Sequence, residues 1–247
     1  MASQPSYQTK AIVIGRTNFG EADRVIRLLT PDYGKVAAVA KGIRKIKSRS
    51  GGHLELLGEV NLMLIPGTNL ERITSARLVW YPHQLVGDYE RLGLAFAIAK
   101  MCDRLTEPAH PAPALYAVTL EALQSLDAQA PVQLVELWFK LRLLDTLGYR
   151  PELGACVICA ESSPDASYTF SADRGGIVCA SDAGALDVAF SLEQIKFWRL
   201  LCDYNYGTIS HIAGAEGLAA ATLSLCDNFY EHHLGQSFKP SLTGEPL

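Results

Sequence analysis

The sequence predicts an α+β protein in which a small five-stranded β-barrel precedes an α-helical domain carrying a cysteine-bearing insert. Three observations predict it. Residues 9–79 hold five short runs rich in β-branched side chains, with turn residues between them. From Tyr81 the apolar spacing changes to that of helices, and the stretch from Cys156 to about Asp187 follows neither period. With 247 residues, 49% of them hydrophobic, the chain can bury one large or two modest domains. The expected boundaries are 1–80 for the barrel and 81–247 for the helical domain, with the insert at about 152–187.

The strand runs are TKAIVIG, DRVIRLLT, KVAAVAKG, EVNLMLIPG and ERITSARLV. Asn18-Phe19-Gly20, Pro31-Asp32-Tyr33-Gly34, Gly51-Gly52 and Pro66-Gly67 separate them, and such residues favour turns. In the fourth run Val60, Leu62 and Leu64 share a face; in the second, Val25 and Leu29 flank Arg27 while Ile26 and Leu28 lie opposite. Five strands in about 70 residues, with a longer connection after the third, fit an OB-type barrel. A small five-stranded sheet of another topology fits the pattern nearly as well.

Charge is distributed unevenly. Residues 1–53 contain ten Lys/Arg and three Asp/Glu, a net +7, whereas the whole chain is −4, so residues 54–247 carry −11. Between Tyr33 and His53 the basic residues Lys35, Lys41, Arg44, Lys45, Lys47 and Arg49 meet no acid. A polyanion is drawn to such an end and repelled by most of the rest. The plainer alternative is a solvated loop. Aromatic residues in this half are few (Tyr7, Phe19 and Tyr33, with Trp80 and Tyr81 at its end), which favours salt-sensitive phosphate contacts over base stacking.

Helical spacing covers residues 85–105, 113–126, 131–147, 191–204 and 216–234, with Pro111, Pro113 and Pro131 near the starts. Leu134, Leu137, Trp138, Leu141, Leu144 and Leu147 form an apolar stripe best read as core. Gly148 and Pro151 end that helix, and Ser191 with Glu193 and Gln194 is a capped start. Cys102, Cys202 and Cys226 fall within apolar helical patterns as buried thiols. The insert reads Cys156-x-x-Cys159, 19 residues containing a hairpin candidate, then Cys179-x-x-Asp182. Four cysteines at this spacing would be a strong zinc signature; zinc also accepts a carboxylate oxygen, so Cys156, Cys159, Cys179 and Asp182 are the candidate ligands of one structural zinc ion. A site that has lost its metal would show the same residues.

Residues 1–10 lack a signal-peptide apolar region, and no run approaches the roughly 18 apolar residues of a membrane helix, so a cytoplasmic protein with no membrane partner is expected. Enzyme motifs are missing. Gly34-Lys35 lacks the upstream glycine of a phosphate-binding loop, and neither Gly-x-Ser-x-Gly nor His-Glu-x-x-His occurs.

Several landmarks in order along the chain resemble the RecO family of bacterial recombination mediators. They are Gly20-Glu21-x-Asp23, Leu28-Leu29-Thr30, Gly34-Lys35, Lys41-Gly42-x-Arg44-Lys45-x-Lys47-Ser48-Arg49, and Leu147-Gly148-Tyr149-x-Pro151-x-Leu153 leading into Cys156-x-x-Cys159. Gly175-Gly176-x-x-Cys179, Tyr230-x-x-His233-Leu234-Gly235 and Lys239 follow. The resemblance implies an N-terminal OB domain that binds DNA, a helical domain with a zinc-ribbon-like element, and no catalysis. It further implies annealing of complementary strands and, with RecR, loading of RecA onto single-stranded DNA coated by single-stranded-DNA-binding protein, at the bacterial nucleoid. Asp182 departs from the pattern, standing where zinc-bearing members have a fourth cysteine. Arg24, Arg27, Lys35, Lys41, Arg44, Lys45, Lys47 and Arg49 are then the expected contacts to single- and double-stranded DNA. The alternative function is a protein-interaction scaffold with no direct DNA role.

Overall fold

The computed structural model describes residues 5–45, 52–162 and 167–235. Five strands, β1 (Tyr7–Phe19), β2 (Asp23–Thr30), β3 (Gly34–Ala40), β4 (Glu59–Ile65) and β5 (Glu71–Trp80), close into a barrel in the order β1-β2-β3-β5-β4. That is the OB arrangement anticipated from the five runs. Closure between β3 and β5 is parallel and brief, through Ala38↔Glu71 and Val39↔Arg72. The long β1 serves both halves: residues 7–12 pair with β4 and residues 12–19 with β2, with a register shift between Val13 and Gly15.

Alternation fills the barrel. Val13, Ile26, Leu28, Val36, Ala38, Val60, Leu62 and Leu64 point inward and are buried. One stretch of the outer surface is buried as well. Ile12, Ile14 and Leu29 are fully covered, with α1 (Tyr89–Leu105) lying against β1 and β2. Asp88 caps α1 by accepting the Arg91 N–H, and α2 (Pro113–Asp127) begins on a proline whose missing N–H costs the helix nothing at that position. Tyr116 of α2 donates to the buried Glu59 of β4 at 2.8 Å. Barrel, α1 and α2 together make one compact unit that ends at Ala128.

The second unit starts at Gln129. It contains α3 (Val132–Thr146), α4 (Leu192–Asp203), the short α5 (Tyr206–Ile209), α6 (Ala215–Leu234), and a sheet ordered β7-β6-β8 from β6 (Tyr168–Ser171), β7 (Gly176–Cys179) and β8 (Val188–Phe190). The predicted hairpin is β6–β7. The edge strand β8 was not foreseen, because three residues are too few to show a period. Ser191 and Gln194 form the expected capping box. Helix α3 is buried nearly all round, with Leu134, Leu137, Trp138, Leu141 and Leu144 in the core as anticipated. Its buried Lys140 lies 2.5 Å from Glu136 and also pairs with Asp227 of α6. Phe170, Phe190, Trp198 and Phe229 pack with ring centroids 5.1–5.6 Å apart. This aromatic cluster binds the small sheet to α4 and α6 and gives its short strands a hydrophobic face and a helix to pack against.

Candidate nucleic-acid interface and metal centre

The basic residues divide by what they touch. At the β1–β2 end, the Asp23 carboxylate accepts the Gly42 N–H at 2.7 Å, and the Arg44 N–H donates to the Ala22 carbonyl at 3.0 Å. Gly42 adopts φ +65° there, a conformation open to glycine at little cost. The β1–β2 turn and the turn after β3 are thus fastened together. Arg24, which pairs across from Ala40, is brought beside Lys41, Arg44 and Lys45. Lys41, Arg44 and Lys45 are exposed and Arg24 is half-buried. Arg24 donates to the Asn18 side chain at 3.2 Å and Arg44 to the Gly20 carbonyl at 3.3 Å. These acceptors are neutral, so the four cations outnumber Glu21 and Asp23, the two carboxylates of the β1–β2 turn. None of the four has an ion-pair partner among the described residues.

Arg27 and Lys35 differ. The Arg27 guanidinium stands 2.9 Å from the Asp103 carboxylate of α1 and donates to Thr17 Oγ1 at 3.1 Å. It lies across β1 where Gly15 leaves room, since a Cβ at that position would come within 2.4 Å of its Nη2. Lys35 Nζ donates to the Asp103 carbonyl and sits 3.8 Å from its carboxylate. These two cations fasten α1 to the barrel. Lys47 and Arg49 lie outside the described residues.

Two further residues bear on this surface, Asp103 without any mark in the sequence and Phe19 as one of its few aromatics. Asp103 is 68 residues from Lys35, and nothing local marks it as the partner. Phe19 is 53% exposed at the tip of the β1–β2 turn, between the acceptors of Arg24 and Arg44. Its aromatic ring and its place in the turn beside Gly20 are both visible in the sequence; its exposure is not.

In the second unit the spacing of the four candidate ligands is matched in space. One donor atom from each of Cys156, Cys159, Cys179 and Asp182 falls within 4.8 Å of all the others. Cys159 and Cys179 sulfurs are 3.7 Å apart, close to the roughly 3.8 Å separation implied by tetrahedral zinc–sulfur bonds of about 2.3 Å. Asp182 Oδ2 is 3.2 Å from the Cys179 sulfur and 3.7 Å from that of Cys156. Burial pushes the Cys156 thiol up, but backbone amides of Cys159, Cys179 and Ile158 pull it down further, to about 7. Contacts from Cys179 and Cys159 hold the Asp182 carboxyl below its ordinary value. Amides directed at a sulfur stabilise a thiolate, the form that ligates metal. Cys159 differs: a backbone bond at Glu161 pulls its thiol down, but Asp182 and Cys156 push it up further, to about 12. The spacing of the four donors is what fits a divalent ion closed by protein ligands.

The hairpin that carries Cys179 depends on a close approach. The Glu152 N–H donates to the Gly175 carbonyl and Ile177 N–H to the Glu152 carbonyl, both at 2.9 Å. A Cβ on Gly176 would stand 2.3 Å from that Glu152 oxygen. His233 of α6 meets the Ala172 carbonyl of the same hairpin at 3.0 Å. The remaining thiols are buried, as their apolar contexts indicated. Desolvation pushes Cys102 and Cys202 up to about 12 and Cys226 higher still, so all three stay protonated at neutral pH. Among the basic residues of this unit, Arg142 donates to the Cys202 carbonyl and Arg199 to that of Leu153. Both serve the fold.

A closed barrel of OB strand order with a basic rim, joined to helices and a Cys3Asp ribbon, defines an OB-barrel protein with a ribbon-bearing helical domain. The chain matches the model for the Recombination protein O N terminal over residues 1–81 and that for the Recombination protein O C terminal over residues 86–242. It belongs to the RecO family, as the resemblance of its landmarks implied. Its relatives include the DNA repair protein RecO of Roseiflexus sp. (strain RS-1), 36% identical over 92% of this chain and 81% of that protein. The DNA repair protein RecO of Bifidobacterium adolescentis is 34% identical over 93% and 95%. That of Dehalococcoides mccartyi (strain ATCC BAA-2266 / KCTC 15142 / 195) is 31% identical over 81% and 80%. Among the described residues, no helix is long and apolar enough to cross a membrane.

Proposed function

We propose that this chain is a non-enzymatic DNA-binding protein of recombinational repair that anneals complementary strands. With RecR it helps RecA onto single-stranded DNA coated by single-stranded-DNA-binding protein, in the bacterial cytoplasm at the nucleoid. The observation that carries the reading is the group Arg24, Lys41, Arg44 and Lys45, held together by Asp23 and lacking ion-pair partners among the described residues. Family membership supports the repair role. Cations that meet phosphates neutralise repulsion between two strands and leave base edges free to pair. Lys47 and Arg49 extend the same basic run in sequence.

The test is annealing of two complementary labelled oligonucleotides. The wild type accelerates it at low salt, and Arg24/Lys41/Arg44/Lys45→Gln does not. Binding of RecR without binding of any oligonucleotide at low salt would replace this function with that of a protein scaffold.

Zinc held by Cys156, Cys159, Cys179 and Asp182 has a structural role in this reading, since four protein ligands leave no open position for water. The ion would join the loop before β6 to the end of β7. One equivalent of zinc released on thiol modification of protein purified without chelator is expected, falling sharply in Asp182→Ala. A metal-free wild type would remove zinc from the proposal.

A further inference from the structure

The outer surface of the other barrel half, where β1, β4 and β5 lie side by side, carries a second set of cations. Lys10 stands opposite Asn61, and Asn61 opposite Arg77, so the three form one row across three strands. Gln8, Met63 and Ser75 form the next row. Gln8, Lys10, Asn61, Ser75 and Arg77 are exposed and border a shallow hollow. Arg72 extends the charge further along β5. The inward residues between them, Ala11, Val60, Leu62 and Leu64, are buried in the barrel core, so alternation alone directs the polar set outward.

This surface lacks compensating acid. The three strands hold only two carboxylates, Glu59 and Glu71. Glu59 is buried and bonded to Tyr116, and Glu71 accepts the Tyr7 hydroxyl at 2.5 Å. Lys10, Arg72 and Arg77 have no ion-pair partner among the described residues. Lys10 and Arg77 lie two strand spacings apart, about 10 Å, with amide and hydroxyl groups between them. Lys, Arg, Asn, Gln and Ser are the side chains that bind phosphate and sugar, and the absence of an exposed aromatic or carboxylate in the two rows suits a backbone and disfavours base readout.

We propose that this surface is a second binding track for the phosphodiester backbone of single-stranded DNA, so that one barrel holds two strands at once. Lys10 and Arg77 make the phosphate contacts, with Asn61 between them. The inference rests on the DNA-binding function proposed above. The two tracks are electrostatically separate: Lys10 and Asn18, the partner of Arg24, are eight residues apart on β1, about 26 Å at roughly 3.3 Å per residue. Even with some shortening at the register shift in β1, that exceeds the Debye length of about 8–10 Å at 0.1–0.15 M salt, so at that ionic strength a strand on one track does little to repel a strand on the other.

Stoichiometry tests it. The full chain is titrated at about 0.1 M salt, where the two tracks are screened from one another, with a homopolymeric DNA of about ten nucleotides, within the span of one OB domain, and binding is followed by sedimentation. The wild type should take two strands per protomer, Lys10→Gln/Arg77→Gln one, and Arg24/Lys41/Arg44/Lys45→Gln one. Circular dichroism confirms that each variant is folded; the substituted side chains pair with no acid, so all are expected to fold. A wild type that saturates at one strand, or a Lys10→Gln/Arg77→Gln variant that still takes two, overturns the second track and leaves the proposed function standing. Loss of polyglutamate binding in that variant, with two strands still bound, assigns the surface to an acidic protein and also overturns it. A wild type that takes no strand at all fails the proposed function itself.

Discussion

The six described cations that the sequence nominated should not contribute equally to DNA binding, and salt dependence separates them. Each phosphate neutralised on a single strand contributes about 0.7 to the slope of log affinity against log salt. Arg24, Lys41, Arg44 and Lys45 have no acidic partner among the described residues, so replacing all four with Gln should flatten the slope by about 2.8. Between about 50 and 200 mM salt the wild type should therefore lose roughly 50-fold more affinity than the variant. Arg27 and Lys35 already share Asp103. Arg27→Gln/Lys35→Gln should change the slope by less than about 0.7, and its cost should fall on stability instead, at about 1 kcal/mol for a partly exposed pair. Asp103→Asn should release both cations and steepen the slope. Fluorescence anisotropy of a labelled oligonucleotide across a salt series reads all three. If Arg27→Gln/Lys35→Gln flattens the slope as far as the fourfold variant does, ion pairing in the free protein is no guide to the interface and the argument fails.

Other expected outcomes concern single side chains. Phe19→Ala should weaken single-strand binding by about 1–3 kcal/mol at unchanged salt slope if the exposed ring stacks on a base, and an abasic oligonucleotide should show no difference between the two proteins. Tyr116→Phe should cost about 1–3 kcal/mol in urea unfolding, because Glu59 is left buried without its donor. Burial, then the bond to Glu59, raises the Tyr116 pKa. The folded state thus holds its proton where the unfolded chain releases it. Wild-type stability should fall as pH rises above about 10, the ordinary tyrosine value, and the Phe variant should lose part of that slope. Lys140→Met should cost about 3 kcal/mol, the low end for a broken buried pair, since Glu136 is left buried without its cation while the Asp227 side chain is 37% exposed and screened by water. Adding Glu136→Leu and Asp227→Leu should recover most of the loss; if Lys140→Met alone costs under about 1 kcal/mol, the site is better hydrated than its burial indicates.

Features that depend on neighbours along the chain are legible without the fold. The alternation of Val60, Leu62 and Leu64 placed them in the barrel core, and the spacing of Leu134, Leu137, Trp138, Leu141 and Leu144 placed them in the centre of the helical unit. Ser191 and Gln194 announced their own cap, and two Cys-x-x pairs announced four donors. Strand order was open between two topologies until the β3–β5 closure resolved it, because pairing between distant strands leaves no mark within either. Which basic residues lack an ion-pair partner among the described residues is settled by the fold. Coulomb interaction falls with distance in space, and Asp103 reaches Arg27 and Lys35 from a helix whose own pattern reports only its buried face. For the same reason Lys10, too isolated in sequence to attract notice, gained significance only when register set it in line with Asn61 and Arg77.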